Sequence, residues 1–195
     1  LGGAPDEIVN TPQQMIVDYI KLYQDSNNSE NIFIEFADSK QLPVDFELAP
    51  ESYIVNQFGD AVFEVTADPE DANNQVLKMT RAADTFWWSG GLVDITATDA
   101  TSGNFTMNVY SDIALSYVEL KMEQDENNFV IMNTTHSGSG WESLTFNVAD
   151  GSVTGSPAAA VKAVFTPRVT NDDSVAVNPS VDQVFYFDDI TQSGS

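Results

Sequence analysis

Residues 104–110 read "NFTMNVY". In an extended strand successive side chains point to opposite faces, so Phe105, Met107 and Val109 share one side and Thr106 and Asn108 the other. That is the pattern of an antiparallel strand with one face on a core and one in water. "LTFNV" repeats it, with Leu144, Phe146 and Val148 on the apolar side. Outward from these two, short runs rich in Val, Ile, Phe, Tyr and Thr alternate with clusters of Gly, Asn, Asp, Ser and Pro. Almost nothing carries helical periodicity. Strands are expected at 15–22, 32–36, 44–47, 53–57, 61–66, 75–80, 86–88, 91–95, 104–109, 117–123, 128–133, 142–148, 160–167 and 183–190. The fold class is all-β, a two-sheet antiparallel β-sandwich of jelly-roll type.

The chain has 195 residues, 42% of them apolar, enough for one domain with a proper core, or one domain with an appended segment. Seven Lys and Arg against 30 Asp and Glu give a net charge of -23. Such a surface repels phosphate backbones and anionic bilayers, so neither nucleic acid nor a membrane is an expected partner. It keeps a chain soluble in salt and suits hard cations bound through oxygen. There is no cysteine, which excludes disulfides, thiolate catalysis and Cys-type zinc sites. The opening "LGGAPDE" reads like the middle of a longer polypeptide.

Residues 25–31, around the polar stretch "DSNNSE", read as a linker between an N-terminal piece, 1–24, and a main body, 32–190, with 191–195 as a tail. The N-terminal piece contains "PQQMIVDYIKLYQ", Pro12 to Gln24. It resembles the last strand of glycoside hydrolase family 16 enzymes, of the form P-x-x-M-x-V-D-Y-V-R-V-Y. Met15, Val17, Asp18, Tyr19, Ile20 and Tyr23 match, and Gly2–Gly3 fits the Gly-rich segment before it. That family's catalytic strand, E-x-D-x-x-E, supplies two carboxylates about 5 Å apart. The motif is absent here, and "DPED" and "EQDE" lie in turn-like segments. The resemblance therefore speaks of a parent polypeptide, and this chain is expected to be non-catalytic.

The main body carries "LPVDFEL", "VLKMTRAADTFWWSGG", "GSGWESLTFNV" and "VFYFDDI" in that order. The set is similar to carbohydrate-binding modules of families 4, 16 and 22, which are appended to polysaccharide-degrading enzymes of marine bacteria. The resemblance implies a jelly roll, a polysaccharide partner, a secreted location and a structural Ca²⁺ near the terminal strands. In a jelly roll the first and last strands commonly pair, which brings Asp45 or Glu47 near Asp188 or Asp189, an oxygen-rich setting for calcium. Glu47 and Asp189 are the first-choice ligands, with Asp45 and Asp188 behind them. Solvated carboxylates that deter edge pairing are the other reading.

Indole faces stack on the C–H patches of sugars, so side-by-side Trp87 and Trp88 raise the question of a platform. On a strand one would pack inside and the other face out. The resembling modules use the tryptophan before a small residue and glycine for packing, which makes Trp88 structural and Trp87 the platform. A slip of one residue swaps the two. Arg81 is a candidate donor to a sugar hydroxyl, or else a surface ion-pair partner. Tyr53, Phe58, Tyr110 and Tyr117 are secondary platforms or core, and Trp141 is read as a cap on the core. His136 has no partner for a transition-metal site.

The expected function is adhesion by a monomeric, non-catalytic module that holds a glycoside hydrolase at its substrate. The family 16 neighbour suggests β-1,3-glucan of laminarin type, with agar or carrageenan-type galactans behind it. The alternatives are a ligand-free spacer with both tryptophans in the core, and a lyase. The lyase lacks the His/Tyr/Arg cluster that its chemistry needs.

Overall fold

The computed structural model describes residues 42–48, 53, 55–170 and 175–193, and the backbone of two strands nearer the N-terminus. Those strands, Ile20–Gln24 (β1) and Ile32–Phe36 (β2), form an antiparallel pair with Ile20 opposite Phe36. They lie in one compact unit, Leu1–Ala37, and Asp38–Ser195 is the other. Ile32–Phe36 thus pairs within the first unit instead of opening the sandwich. Residues 1–19 and 25–31, with most of the hydrolase-like segment and the linker, fall outside the described residues.

The second unit runs through Val55–Phe58 (β3), Ala61–Ala67 (β4), Gln75–Arg81 (β5), Gly90–Asp99 (β6), Asn104–Ser111 (β7) and Leu115–Asp125 (β8). It continues with Asn128–His136 (β9), Gly140–Asn147 (β10), Ser152–Thr154 (β11), Ala159–Arg168 (β12) and Gln183–Ser193 (β13). One sheet has five strands in the order β10-β7-β13-β5-β4, the other six in the order β11-β9-β8-β12-β6-β3. Every pairing is antiparallel. This is the two-sheet sandwich expected from the alternation. Strand β13 runs to Ser193, past the point where the tail was expected.

Phe105, Met107 and Val109 are buried, as are Leu144 and Phe146 of the neighbouring β10. Facing them from the six-stranded sheet are Val118, Leu120, Met122, Val130, Met132 and Phe165, in one continuous core. Phe165 of β12 meets Phe187 of β13 across the layers at 4.8 Å. Burying each such side chain contributes roughly 1.5–3 kcal/mol. The strand expected at 44–47 is reduced to an isolated bridge, in which Val44 and Ile190 exchange N–H···O bonds of 3.0 Å. That bridge does bring the start of the unit against its last strand.

The segment 86–88 is not a strand. It belongs to a turn that crosses from β5 to β6, closed by Ser89 N–H donating to the Phe86 carbonyl at 3.0 Å. Aromatic and Thr residues favour strands because they fit a half-buried surface, and a turn packed on the sandwich offers the same environment.

Candidate functional site

The turn that carries the tryptophans is fixed from below by Arg81. Its side chain shares the inward face of β5 with Leu77 and Met79 and is 1% exposed. One guanidinium nitrogen donates to the Ser89 carbonyl at 2.7 Å and to the Pro167 carbonyl at 2.6 Å. A second reaches Gln183 Oε1 at 3.4 Å. Burial first, and the nearby charge of Arg168 second, push its pKa down to about 10. Arg81 is therefore neither a sugar donor nor a surface ion-pair partner. It ties the turn to β12 and β13.

On a turn the two indoles are not forced to opposite faces. Trp87 is half-buried, with the Arg168 guanidinium 4.9 Å above its ring and its backbone N–H donating to Asn178 Oδ1. Trp88 is the more open of the two, at 40% exposure, beside Phe86 at 46%. Phe86 stacks on Trp88 at 4.7 Å, and Phe58 lies nearly parallel to it at 6.5 Å. The expected roles of the pair are thus exchanged in exposure. Gly59 explains the close seat of Trp88. It has φ of 68° at the β3–β4 turn, and a Cβ there would come within 2.8 Å of the indole.

Arg168 leads onto the outward face of the six-stranded sheet. Its guanidinium donates to Glu119, and its register partner is Tyr117, exposed on β8. Glu119 stands between Thr166 of β12 and Asn133 of β9. One register step of two residues along, Lys121 lies between Val164 and Ile131, its ammonium 3.9 Å over the Phe129 ring. Lys121 and Lys162 both pair with Glu123, at 2.5 and 3.3 Å. Burial works to raise the Glu123 carboxyl, but the two ammonium groups outweigh it and hold it below the usual carboxylate range. Three of the chain's seven basic residues thus project from one face. In a protein of net charge -23, this face is locally balanced. It combines aromatic rings, amides and charged groups that can both donate and accept.

Sequence reasoning missed Arg168, Glu119, Asn133 and Lys121. The signal was the off-core half of "YVELKME", which places Tyr117, Glu119, Lys121 and Glu123 on the face opposite Val118, Leu120 and Met122.

Tyr53 is corrected from platform to core. It is 8% exposed, packs on Phe46 at 5.1 Å and accepts from the Leu48 N–H. Each of the four calcium candidates accepts a hydrogen bond. Asp45 accepts from the Glu47 N–H and Glu47 from the Gln75 N–H. Asp188 is buried and bonded by Asn74, and Asp189, exposed, by Asn108. Among the described residues no three acidic or imidazole side chains gather as a metal site. Glu47 and Asp188 are near enough to repel each other. Burial above all, then the charges of Asp189 and Glu47, push the Asp188 pKa up to about 6 against the bonds from Asn74 and the Asp189 N–H. Among the described residues no Lys or Arg pairs with either carboxylate.

No family model matches the chain, and no curated protein matches it. Solved structures do. The CBM22-2 xylan-binding domain of Paenibacillus barcinonensis Xyn10C superposes with a TM-score of 0.50 at 16% identity, over 79% of this chain and 99% of that one. The family 11 carbohydrate-binding module of Clostridium thermocellum, solved with a mixed-linked β-1,3-1,4 tetrasaccharide, gives 0.51 at 11% identity, over 77% and 93%. An exo-β-agarase structure gives 0.54 at 11% identity, over 78% of this chain and 25% of that one. At these identities the likeness is one of fold. The chain has the two-sheet β-sandwich fold of those carbohydrate-binding modules.

Proposed function

We propose that this domain binds polysaccharide without cleaving it, on the outward face of the six-stranded sheet. The observation that carries the reading is the Trp87–Arg168–Glu119 arrangement, with Tyr117 and Asn133 alongside. Stacking rings meet fixed donors and acceptors on rigid strands, in a region where the surface charge is balanced. The Phe86–Trp88 stack extends that face at its edge. In the whole protein the module acts by adhesion: it is secreted with a glycoside hydrolase and raises the local concentration of cleavable chain.

The favoured ligand is a neutral β-1,3-glucan of laminarin type, because the net charge of the domain disfavours polyanions at a distance. Agar or carrageenan-type galactans form a second reading, supported by Lys121, Lys162 and Arg168 on the face itself. A calcium ion held by Glu47 and Asp188, with backbone carbonyl oxygens, is proposed as a structural element away from the six-stranded face.

Electrophoresis through gels containing laminarin, xylan, agarose or carrageenan tests the reading. Wild type is retarded in at least one of them. Trp87→Ala and Arg168→Ala each weaken that retardation by about tenfold, or about 1.4 kcal/mol, with melting temperatures close to wild type. A smaller loss is expected for Phe86→Ala. A domain retarded by none of the four is a spacer, and the proposal fails.

A further inference from the structure

Resting on that reading, we infer a second glycan site on the opposite side of the sandwich, on the outward face of the five-stranded sheet, with a preference for neutral sugars. The pairing registers align Trp141 of β10 with Tyr110 of β7, Tyr110 with Tyr186 of β13, Tyr186 with Lys78 of β5, and Lys78 with Glu64 of β4. One row therefore crosses every strand of the sheet. Its members alternate with core residues such as Val109, Phe187 and Met79, so all of them look outward. The rings contact each other edge to face, Tyr110 with Trp141 and with Tyr186 at 5.6 Å. Lys78 is neutralised by Glu64 at 2.7 Å.

Beside the row lies a cavity of about 260 Å³, walled by Trp141, Asn74, Asn108, Asp68, Asp188 and Asp189. That is room for several water molecules. Hydrogen bonds hold the wall in place. Trp141 Nε1 donates to Asp68 Oδ1 at 3.0 Å, and Asn74 Nδ2 bridges Asp68 and Asp188 at 3.2 and 3.1 Å. Asn108 Nδ2 donates to Asp189 Oδ2 at 2.9 Å. The cavity exists because β13 is irregular here. Its pairing with β7 shifts between Asp188 and Thr191, and Asp189 sits at φ of 48°. Two consecutive aspartates thereby line the same space, one buried and one exposed.

An indole wall offers a stacking surface, the second N–H of the Asn108 amide offers a donor, and carboxylates accept the protons of sugar hydroxyls. No basic residue lines the cavity, so in chelator, where Asp188 holds no ion, a sulfated or uronic sugar meets only like charge. The six-stranded face, with its three basic residues, lacks that bias. The two faces differ in what they reject, and a domain with both can bridge two glycan chains.

The test is calorimetric titration of the intact domain with laminarihexaose, xylohexaose and neoagarohexaose, paired with gel retardation on laminarin and carrageenan. The expected stoichiometry for the bound oligosaccharide is two per domain. It falls to one in Tyr186→Ala combined with Asn108→Ala, and in Ser143→Trp, which fills the cavity from an exposed position on its rim and stays clear of the aromatic row. It also falls to one in Trp87→Ala combined with Arg168→Ala, and that variant keeps a weakened retardation by laminarin, carried by the second site, while losing any by carrageenan. A wild-type stoichiometry of one that the cavity variants leave unchanged overturns the second site and leaves the first intact. Binding of carrageenan alone does the same. Binding of nothing by wild type overturns both.

Discussion

Arg81→Ala destabilises the domain by about 3–5 kcal/mol, which for a chain of this size lowers the melting temperature by on the order of 10 °C. The guanidinium is buried with no carboxylate partner among the described residues, so the loss is not that of an ion pair. Two effects oppose each other. Removing the cation relieves its desolvation, which is what pushes its pKa down to about 10. Against that, the Ser89 and Pro167 carbonyls lose their donor, at roughly 1–3 kcal/mol each, and the vacated volume adds a cavity cost of similar size. The second group wins because it comprises two orphaned acceptors and a void against a single desolvation. Arg81→Met fills most of the void and recovers part of the loss. The same substitutions free the turn 82–89, so the tryptophan emission shifts to the red before global unfolding. An Arg81→Ala protein that melts within a degree or two of wild type would show that the guanidinium does not hold the turn.

Arg81 also shows where the sequence was legible and where the reading of it failed. In "QVLKMTR" the alternation that puts Leu77 and Met79 inside also puts Arg81 inside, so the burial was written in the same period that identified β7 and β10. Charge alone argued for the surface, and the period was the better guide. The bridge between Val44 and Ile190 was legible for a related reason, since closing a jelly roll brings its ends together. The tryptophans were misplaced because "TFWW" has strand composition, while the segment is held as a turn by the Phe86–Ser89 bond and by tertiary contacts from Arg81 and Asn178. The pairing of Trp87 with Arg168, and the row from Trp141 to Glu64, depend on strands that are neighbours in space and distant in the chain. Alternation fixes which face a residue takes, and only the register between strands fixes what stands beside it.

In a chelator-containing buffer the domain loses stability as the pH rises from about 4 to about 6, and Asp188 is the cause. The residue is 6% exposed, and burial first, then Asp189 and Glu47, raise its carboxyl pKa from 3.8 to about 6. The sign follows from linkage. Between the two values the folded chain keeps a proton that the unfolded chain has released, so stability is fully present below the unfolded value and is lost as the pH passes the folded one. The difference amounts to on the order of 3 kcal/mol above about pH 6. Asp68, Asp99 and Asp125, whose pKa values are lowered, act in the opposite sense and only under more acid conditions. Asp188→Asn removes the buried charge, so its melting temperature is flat across the window and exceeds that of wild type at neutral pH by on the order of 10 °C. Calcium bound between Glu47 and Asp188 offsets the same charge. It therefore raises the melting temperature of wild type at neutral pH, abolishes the slope, and does little for Asp188→Asn. If calcium leaves the wild-type melting curve at neutral pH where the chelator put it, the proposed ion is not held there. If Asp188→Asn gains nothing over wild type in chelator, the buried carboxylate is not the liability that its surroundings imply.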